Sequence, residues 1–143
     1  MNVETVTKRR FKVLVVDDDP PGLVALAAAL SVDFDVASAP SPTAAFELLN
    51  RGPVDVICSD YQMADMDGLR FLELATKRLP HVGCVLVTGS SAYLRSSRDE
   101  SRHYVLLKPY DPERLIGIVT QLALVTESKR SVDTRNAPAR PRK

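Results

Sequence analysis

The sequence predicts an α/β fold in which a parallel β-sheet is covered by helices on both faces. Short, β-branched apolar runs alternate along the chain with longer segments of helical periodicity. Strict alternation of strands and helices is typical of parallel sheets joined by right-handed crossovers. The 143 residues are 45% apolar and 26% charged, which indicates one globular domain with a core of ordinary size.

Five strands are predicted from the short apolar runs. The first run, "FKVLVVD", shows no alternation of apolar and polar residues, which indicates a strand buried on both faces. The second, "FDVASA", is less apolar and predicts a weaker strand. The predicted strands span residues 11–17, 34–39, 54–60, 83–89 and 104–109.

Five helices are predicted after these strands. Ser41 is a suitable N-cap with Pro42 at the first helical position, and Asp111 and Pro112 repeat this arrangement before the last helix. The segment 90–101 is more polar than the others and predicts a less regular helix. The predicted helices span residues 20–31, 41–52, 68–79, 90–101 and 111–127.

The composition argues against a membrane-spanning or secreted protein. No apolar stretch approaches the ~20 residues that a membrane-spanning helix needs, and "MNVETVTKRR" lacks the apolar segment of a secretory signal. Cys58 and Cys84 lie in apolar runs and are expected to be reduced core residues. We therefore expect a cytoplasmic protein.

The net charge of +1 conceals an uneven distribution of charge. Residues 128–143 hold six basic residues and one acid, so the rest of the chain is acidic. We predict a domain over residues 11–127, an N-terminal extension over residues 1–10, and a basic, disordered tail after residue 127. Such a tail is either solvated or makes weak, salt-sensitive contacts with an acidic partner or nucleic acid.

Polar side chains stand at the carboxyl ends of four predicted strands. The first strand ends in Asp17 and Asp18, and the third ends in Asp60. The fourth ends in Thr88, and the fifth ends in Lys108. Carboxyl ends of parallel strands meet at one edge of a sheet, so these side chains should share a small volume. Each alone would be explained by a turn or a helix cap, but the ordered set is specific.

The three carboxylates predict a cation site. Crowded carboxylates raise one another's pKa, and a hard divalent cation removes that conflict. Mg²⁺ prefers one or two carboxylates with waters and a phosphate oxygen, which makes Asp17, Asp18 and Asp60 candidate ligands. Asp19 precedes Pro20 at a helix start and is assigned to capping.

A cation with open coordination positions can receive a phosphoryl group. Asp60 is a competent nucleophile toward phosphorus, because carboxylates form aspartyl phosphates. Lys108 would neutralise one phosphoryl oxygen, and the Thr88 hydroxyl would donate to another. Gly89 has no side chain and would let its backbone N–H approach the group. The cation and Lys108 together match the charge that develops during phosphoryl transfer.

The motifs that carry these residues resemble those of a response-regulator receiver domain of two-component signalling. They read "VLVVDDDP", "VICSDYQMADMDG", "VLVTGS" and "LLKPY", and the resemblance covers residues 11–127. It implies a flavodoxin-like (βα)5 fold, a doubly wound five-stranded parallel sheet of strand order 2-1-3-4-5. It also implies Asp60 as the phosphoacceptor, with a histidine kinase or histidine phosphotransfer protein as donor.

The resemblance extends to the surroundings of the phosphoacceptor. It implies Mg²⁺ or Mn²⁺ held by Asp17, Asp18, Asp60 and the backbone carbonyl of Gln62. It places Gly89 and Ser90 around the phosphoryl group. It implies a regulatory domain rather than an enzyme, one that catalyses only its own phosphorylation and slow dephosphorylation.

Two positions depart from the family pattern. Ala64 stands four residues after Asp60, where the family often has proline, and this predicts a less stiff loop. Val105 stands three residues before Lys108, where the family usually has an aromatic residue. The nearest aromatic residue is Tyr104, which predicts either a different switching residue or a one-residue shift of the last strand.

The segment after residue 127 is too short and polar for a DNA-binding domain, so we expect output through an unknown downstream protein. The core stripe of the last helix is predicted to be Leu115, Ile118, Val119 and Leu122. Ile116, Ala123 and Leu124 point toward other faces. They predict either homodimerisation or docking through this helix, or burial at the edge of the domain.

Two alternatives to a phosphorylated signalling domain stay open. One is a receiver-like scaffold that is never phosphorylated. The other is a Mg²⁺-dependent phosphatase of the haloacid-dehalogenase kind, because Asp17 and Asp19 have the spacing of its nucleophile motif. That motif's threonine and a cap domain are missing from the sequence, and the later motifs fit the receiver better.

Overall fold

The computed structural model describes residues 10–89 and 103–136, with side chains as far as Asp133. The described strands are β1 (Lys12–Val16), β2 (Asp35–Ala39), β3 (Val56–Asp60), β4 (Gly83–Thr88) and β5 (Tyr104–Leu107). The described helices are α1 (Pro20–Ser31), α2 (Pro42–Leu49), α3 (Gly68–Arg78) and α4 (Pro112–Asn136). The helix predicted over 90–101 lies outside the described residues.

The five described strands form one parallel sheet in the order β2-β1-β3-β4-β5. The predicted α/β class and strand order are confirmed. Strand β1 pairs with both β2 and β3, and β2 occupies the edge, so the order reverses beside β1. The carboxyl ends of β1 and β3 therefore lie side by side at the centre of the sheet.

Alternate side chains of each strand pack into two apolar layers, one on each face of the sheet. Val13 and Val15 of β1 pack on one face with α1 and α4, while Leu14 and Val16 pack on the other with α2 and α3. All four side chains are fully buried. A strand covered by helices on both faces has no solvent side, which explains why "VLVV" carries no polar alternation.

The two cysteines are buried free thiols in opposite layers. Cys58 lies in the layer of α1 and α4, and Cys84 lies in the layer of α2 and α3. Burial raises the pKa of both thiols, that of Cys84 to about 11. Both are therefore protonated at neutral pH and act as small apolar core residues.

The predicted helix caps are present. The carboxylate of Asp19 accepts from the N–H of Gly22 at the start of α1, and the hydroxyl of Ser41 accepts from the N–H of Ala44 in α2. Each cap satisfies a backbone donor that the first turn of a helix leaves without an intrahelical partner.

Helix α4 continues to Asn136, so the expectation of a disordered tail does not hold for residues 128–136. Arg130 donates to the carboxylate of Asp55 at 3.0 Å and to the carbonyl of Val54 at 2.8 Å. One turn earlier, the Thr126 hydroxyl donates to the carbonyl of His81 at 2.8 Å. The polarity of this segment predicts disorder, whereas the buried carboxylate of Asp55 and backbone carbonyls at the amino edge of the sheet hold it in place.

The outer face of α4 differs from the predicted interaction surface. Ala123 is fully buried in the core and is therefore wrong as a surface residue, whereas Ile116 is half-buried and packs on the same layer. Leu124 is 50% exposed, and Val125 and Val132 of the same helix are also exposed.

Among the described residues, no helix combines the length and apolar character needed to cross a membrane.

Candidate functional site

Three carboxylates meet at the carboxyl edge of the sheet. Asp17 and Asp18 directly follow β1, and Asp60 is the last residue of β3, the strand that pairs with β1. One ligand atom from each lies within 4.8 Å of the others. Asp17 and Asp60 are buried, while Asp18 is exposed. The cluster therefore has two carboxylates in the protein interior and one on the solvent side.

The surroundings of Asp17 disfavour the ionised form of its carboxyl group. Burial raises its pKa, and the nearby charge of Asp60 raises it further. Its Oδ1 accepts a hydrogen bond of 2.9 Å from the backbone N–H of Asp19, which works in the opposite direction. The net shift is upward, because desolvation and a neighbouring carboxylate outweigh one hydrogen bond.

Lys108 places one positively charged side chain beside this cluster of carboxylates. Its Nζ lies 3.0 Å from Oδ1 of Asp60. Burial lowers the pKa of Lys108, but the hydrogen bond to Asp60 and the charges of Asp60 and Asp17 raise it by more. The lysine stays protonated through the physiological range, so its ammonium offsets part of the negative charge of Asp60 and Asp17.

Asp18 is fixed by the loop that follows β3. The backbone N–H of Ala64 donates to its Oδ2 at 2.9 Å. The carbonyl of Gln62, the fourth ligand implied by the resemblance, belongs to the same loop. Asp19 does not join the cluster, because its carboxylate caps α1. The haloacid-dehalogenase alternative needs Asp19 to face the reaction centre, so this geometry counts against it.

Thr88 ends β4 next to the lysine. The Lys108 N–H donates to the Thr88 carbonyl at 2.9 Å, and the Thr88 side chain is buried. Gly89 follows, and a Cβ there would lie 3.7 Å from the Cβ of Lys108, an ordinary contact. Ser90 lies outside the described residues.

Strand β5 keeps the predicted register. Leu107 pairs with Thr88, which places Lys108 beside Asp60 without a one-residue shift. Val105 is half-buried against the layer of α2 and α3. Tyr104 is partly exposed, and its hydroxyl accepts from Arg114 of α4 at 3.0 Å. The only aromatic residue of β5 therefore contacts α4 and does not occupy the position of Val105.

Two glycines shape the site and were missed by the sequence analysis. A Cβ at Gly22 would lie 2.5 Å from Oδ2 of Asp17, and a Cβ at Gly68 would lie 2.0 Å from the carbonyl oxygen of Asp60. Both follow an aspartate-rich motif, in "DDDPPG" and "DMDG", and this was the available signal. Neither has a positive φ, so they serve close approach and not an unusual turn.

The donor set fits a hard divalent cation. Carboxylate oxygens are the ligands Mg²⁺ takes, and a cation here would offset the repulsion that burial and Asp60 impose on Asp17. Lys108 occupies one oxygen of Asp60, and the second oxygen is at hand for a ligand or for attack on an electrophile. The chemistry of the cluster therefore suits a cation beside Asp60, with Lys108 as a second positive charge.

The chain is similar in sequence to known regulatory proteins. The family model "Response regulator receiver domain" matches residues 13–120. The hydrogenase transcriptional regulatory protein HoxA of Cupriavidus necator is 31% identical over 119 residues, which cover 81% of this chain and 25% of HoxA. The response regulator protein FleR of Pseudomonas aeruginosa is 32% identical over 117 residues, which cover 79% of this chain and 24% of FleR.

A solved structure shows the same fold. The signal receiver domain of an HD domain-containing protein from Pseudomonas fluorescens has a TM-score of 0.78 and 27% identity, over 87% of this chain and 95% of that one. The chain spans about a quarter of the length of the two curated relatives above. With its fold, its ordered motifs and the family match in agreement, the chain belongs to the response regulator receiver domain family of two-component signalling.

Proposed function

We propose that Asp60 accepts a phosphoryl group from a histidine kinase or a histidine phosphotransfer protein and that the resulting change alters partner binding. The observation that carries this proposal is the position of Asp60, buried at the end of β3, 3.0 Å from the Lys108 ammonium and inside the carboxylate cluster. A buried carboxylate with a charged neighbour on one oxygen can direct its other oxygen at phosphorus.

Phosphoryl transfer depends mainly on neutralising the negative charge of the phosphoryl oxygens. Asp17, Asp18, Asp60 and the backbone carbonyl of Gln62 would hold Mg²⁺ or Mn²⁺. The cation supplies electrostatic stabilisation of the phosphoryl oxygens when it is bound. Lys108, which contacts one oxygen of Asp60, offers the second positive charge.

The transfer forms one bond and breaks one. The second oxygen of Asp60 bonds to phosphorus while the phosphorus–nitrogen bond of the donor histidine breaks, and the imidazole leaves with its electron pair. Lys108 then turns from the carboxylate to a phosphoryl oxygen, and the Thr88 hydroxyl donates to another. This domain catalyses its own modification and is regulatory rather than an enzyme acting on other substrates.

The new charge would shift an existing equilibrium between two conformations. Thr88 ends β4 and Lys108 directly follows β5, so contacts of both side chains with one phosphoryl group would move the ends of these paired strands. Tyr104 is bound to Arg114 of α4, which supports a route of change from β5 to that helix. This differs from inward turning of an aromatic side chain at the position of Val105.

The output is a protein contact in the cytoplasm. Leu124, Val125 and Val132 are exposed apolar residues of α4, and the surface around Leu124 would contact a second copy of the domain or a downstream protein. HoxA, among the relatives, is a transcriptional regulatory protein of which this chain matches a quarter. A similar role for a longer protein containing this domain is consistent with that match.

Intact-mass measurement after incubation with MgCl₂ and acetyl phosphate tests the proposal. One added phosphoryl group should appear in the parent, disappear with EDTA, and be absent in Asp60→Asn. Beryllofluoride should bind the parent with Mg²⁺ and should not bind Asp60→Asn. Absence of both the adduct and beryllofluoride binding in the parent would instead support the scaffold alternative.

A further inference from the structure

Each carboxylate of the cluster is held by a different hydrogen-bond donor. The donors are the N–H of Asp19 for Asp17 at 2.9 Å, Nζ of Lys108 for Asp60 at 3.0 Å, and the N–H of Ala64 for Asp18 at 2.9 Å. In each pair the donor contacts one of the two carboxylate oxygens. The other oxygen is at hand for a cation, so the three donors together set the orientation of the ligand set.

Asp18 depends on its donor more than the other two aspartates do. Asp17 and Asp60 are buried, and the protein around them limits their side-chain rotation. Asp18 is exposed, so packing does not fix its rotamer. A cation that recruits a freely rotating carboxylate must offset the lost rotamer entropy, and a prior hydrogen bond removes part of that cost.

The donor sits in the middle of a loop whose two ends are anchored. The loop comprises residues 61–67. Its first residue, Tyr61, donates to the Val87 carbonyl of β4 at 3.0 Å and accepts from the Gly68 N–H at 2.7 Å. Asp67, at the other end, caps α3 through the Arg70 N–H at 2.8 Å. The contact from Ala64 to Asp18 joins the loop centre to a residue 46 positions earlier in the chain.

We propose that Ala64 is a positioning residue for the cation, acting through its backbone N–H to hold Asp18 as a ready ligand. The inference rests on the cation site of the proposed function and adds this loop to it. Because this hydrogen bond links Asp18 to the loop, a cation that fixes Asp18 would also restrain residues 61–67. Any residue except proline can fill this role, because proline has no N–H to donate.

Calorimetric titration with MgCl₂ tests the role of the N–H. Ala64→Pro removes the donor and leaves all three carboxylates in place, and its Kd for Mg²⁺ should rise about tenfold or more, as is typical when a partner of a metal ligand is lost. Ala64→Ser is the conservative variant that keeps the N–H, and it should retain the affinity of the parent. Equal Mg²⁺ affinity of the parent and Ala64→Pro would overturn the inference.

Amide hydrogen exchange at Ala64, followed by NMR, gives a second readout that does not require the proline variant to fold. The Ala64 amide should exchange slowly in the parent, more slowly still with MgCl₂, and rapidly in Asp18→Ala regardless of MgCl₂. An exchange rate insensitive to both the cation and Asp18→Ala would overturn the inference. A parent that binds no Mg²⁺ would overturn the cation site as well, so the two failures are distinguishable.

Discussion

The guanidinium of Arg130 lies 3.0 Å from the carboxylate of Asp55, 75 residues earlier in the chain. Asp55 is buried immediately before β3, and its second oxygen accepts from the Lys12 N–H at 2.9 Å. The pair therefore anchors the C-terminal half of α4 to the starts of β1 and β3. The carboxyl ends of these two strands carry the acidic cluster.

Arg130→Met should lower the free energy of unfolding by about 2 kcal/mol, because a hydrogen bond to a charged group is lost and the Asp55 carboxylate stays buried. The loss is smaller than for a fully enclosed pair, since the arginine side chain is 31% exposed. Urea unfolding measures it. Lys129→Met, at an exposed neighbouring position, is the matched control. Equal destabilisation by both variants would mean that the pair does not anchor the helix.

Gly68→Ala should destabilise the domain by about 3 kcal/mol, since a Cβ would lie 2.0 Å from the backbone carbonyl oxygen of Asp60. A backbone atom cannot move aside as a side chain does. Gly117→Ala is the control within α4, where a Cβ meets nothing within 4 Å. It should stabilise the helix by about 0.5–1 kcal/mol. Thermal unfolding of both variants checks the pair, and similar Tm values would contradict the close packing of α3 on Asp60.

Gly22→Ala should spare the fold and weaken the cation site. Its Cβ would lie 2.5 Å from Oδ2 of Asp17, which is a side-chain atom, so a small shift of this carboxylate relieves the contact without moving the backbone. Displacing this ligand should raise the Kd for Mg²⁺ about tenfold. Gly52→Ala has open space around its Cβ and should bind Mg²⁺ as the parent does. Calorimetric titration with MgCl₂ measures the Kd of both variants. Unchanged affinity in Gly22→Ala would show that Asp17 does not hold the cation.

Asp17→Asn should raise the stability of the protein at pH 7 in EDTA. Burial raises the pKa of Asp17 above 3.8 in the folded state, so ionising it costs folded-state free energy as pH rises from 3.8 through the raised pKa. The advantage of the variant should vanish below pH 3.8, where the parent aspartate is protonated in both states. Thermal unfolding across pH measures this difference, and a constant difference at all pH values would exclude the charge as its cause.

Saturating Mg²⁺ should reverse that order of stability. Ligand bound only to the folded state stabilises it by mass action, and the parent should gain while Asp17→Asn gains little. The same thermal unfolding at pH 7 with MgCl₂ provides the comparison. An equal rise in Tm for both proteins would place the cation elsewhere.

Leu124→Glu should reduce self-association of the domain while changing its free energy of unfolding by less than about 0.5 kcal/mol, as expected for a half-exposed position. Sedimentation velocity at several concentrations, with and without phosphorylation, measures association. Val24→Glu alters an exposed apolar residue on α1 and should leave the profile unchanged. Identical profiles of the parent and Leu124→Glu would argue against this face as a dimer contact.

Most of the fold could be predicted because it depends on local patterns. The uninterrupted apolar run of β1 requires helices on both faces, and the caps at Asp19 and Ser41 mark where helices begin. The parallel order of strands then brings Asp60 and Lys108 to one edge, although they are 48 residues apart. The acid cluster followed from the topology, and the topology followed from the alternation of elements.

The sequence by itself determined the strands, the caps and which side chains share the carboxyl edge, because hydrophobic periodicity and backbone preferences act over neighbouring residues. Only the tertiary structure decided that Arg130 binds Asp55, that Ala123 is buried, and that Ala64 donates to Asp18. Those contacts join residues far apart in the chain and depend on the distance and angle between whole elements. A polar segment such as 128–136 has no apolar periodicity of its own, and it becomes ordered helix because a buried carboxylate elsewhere requires its charge.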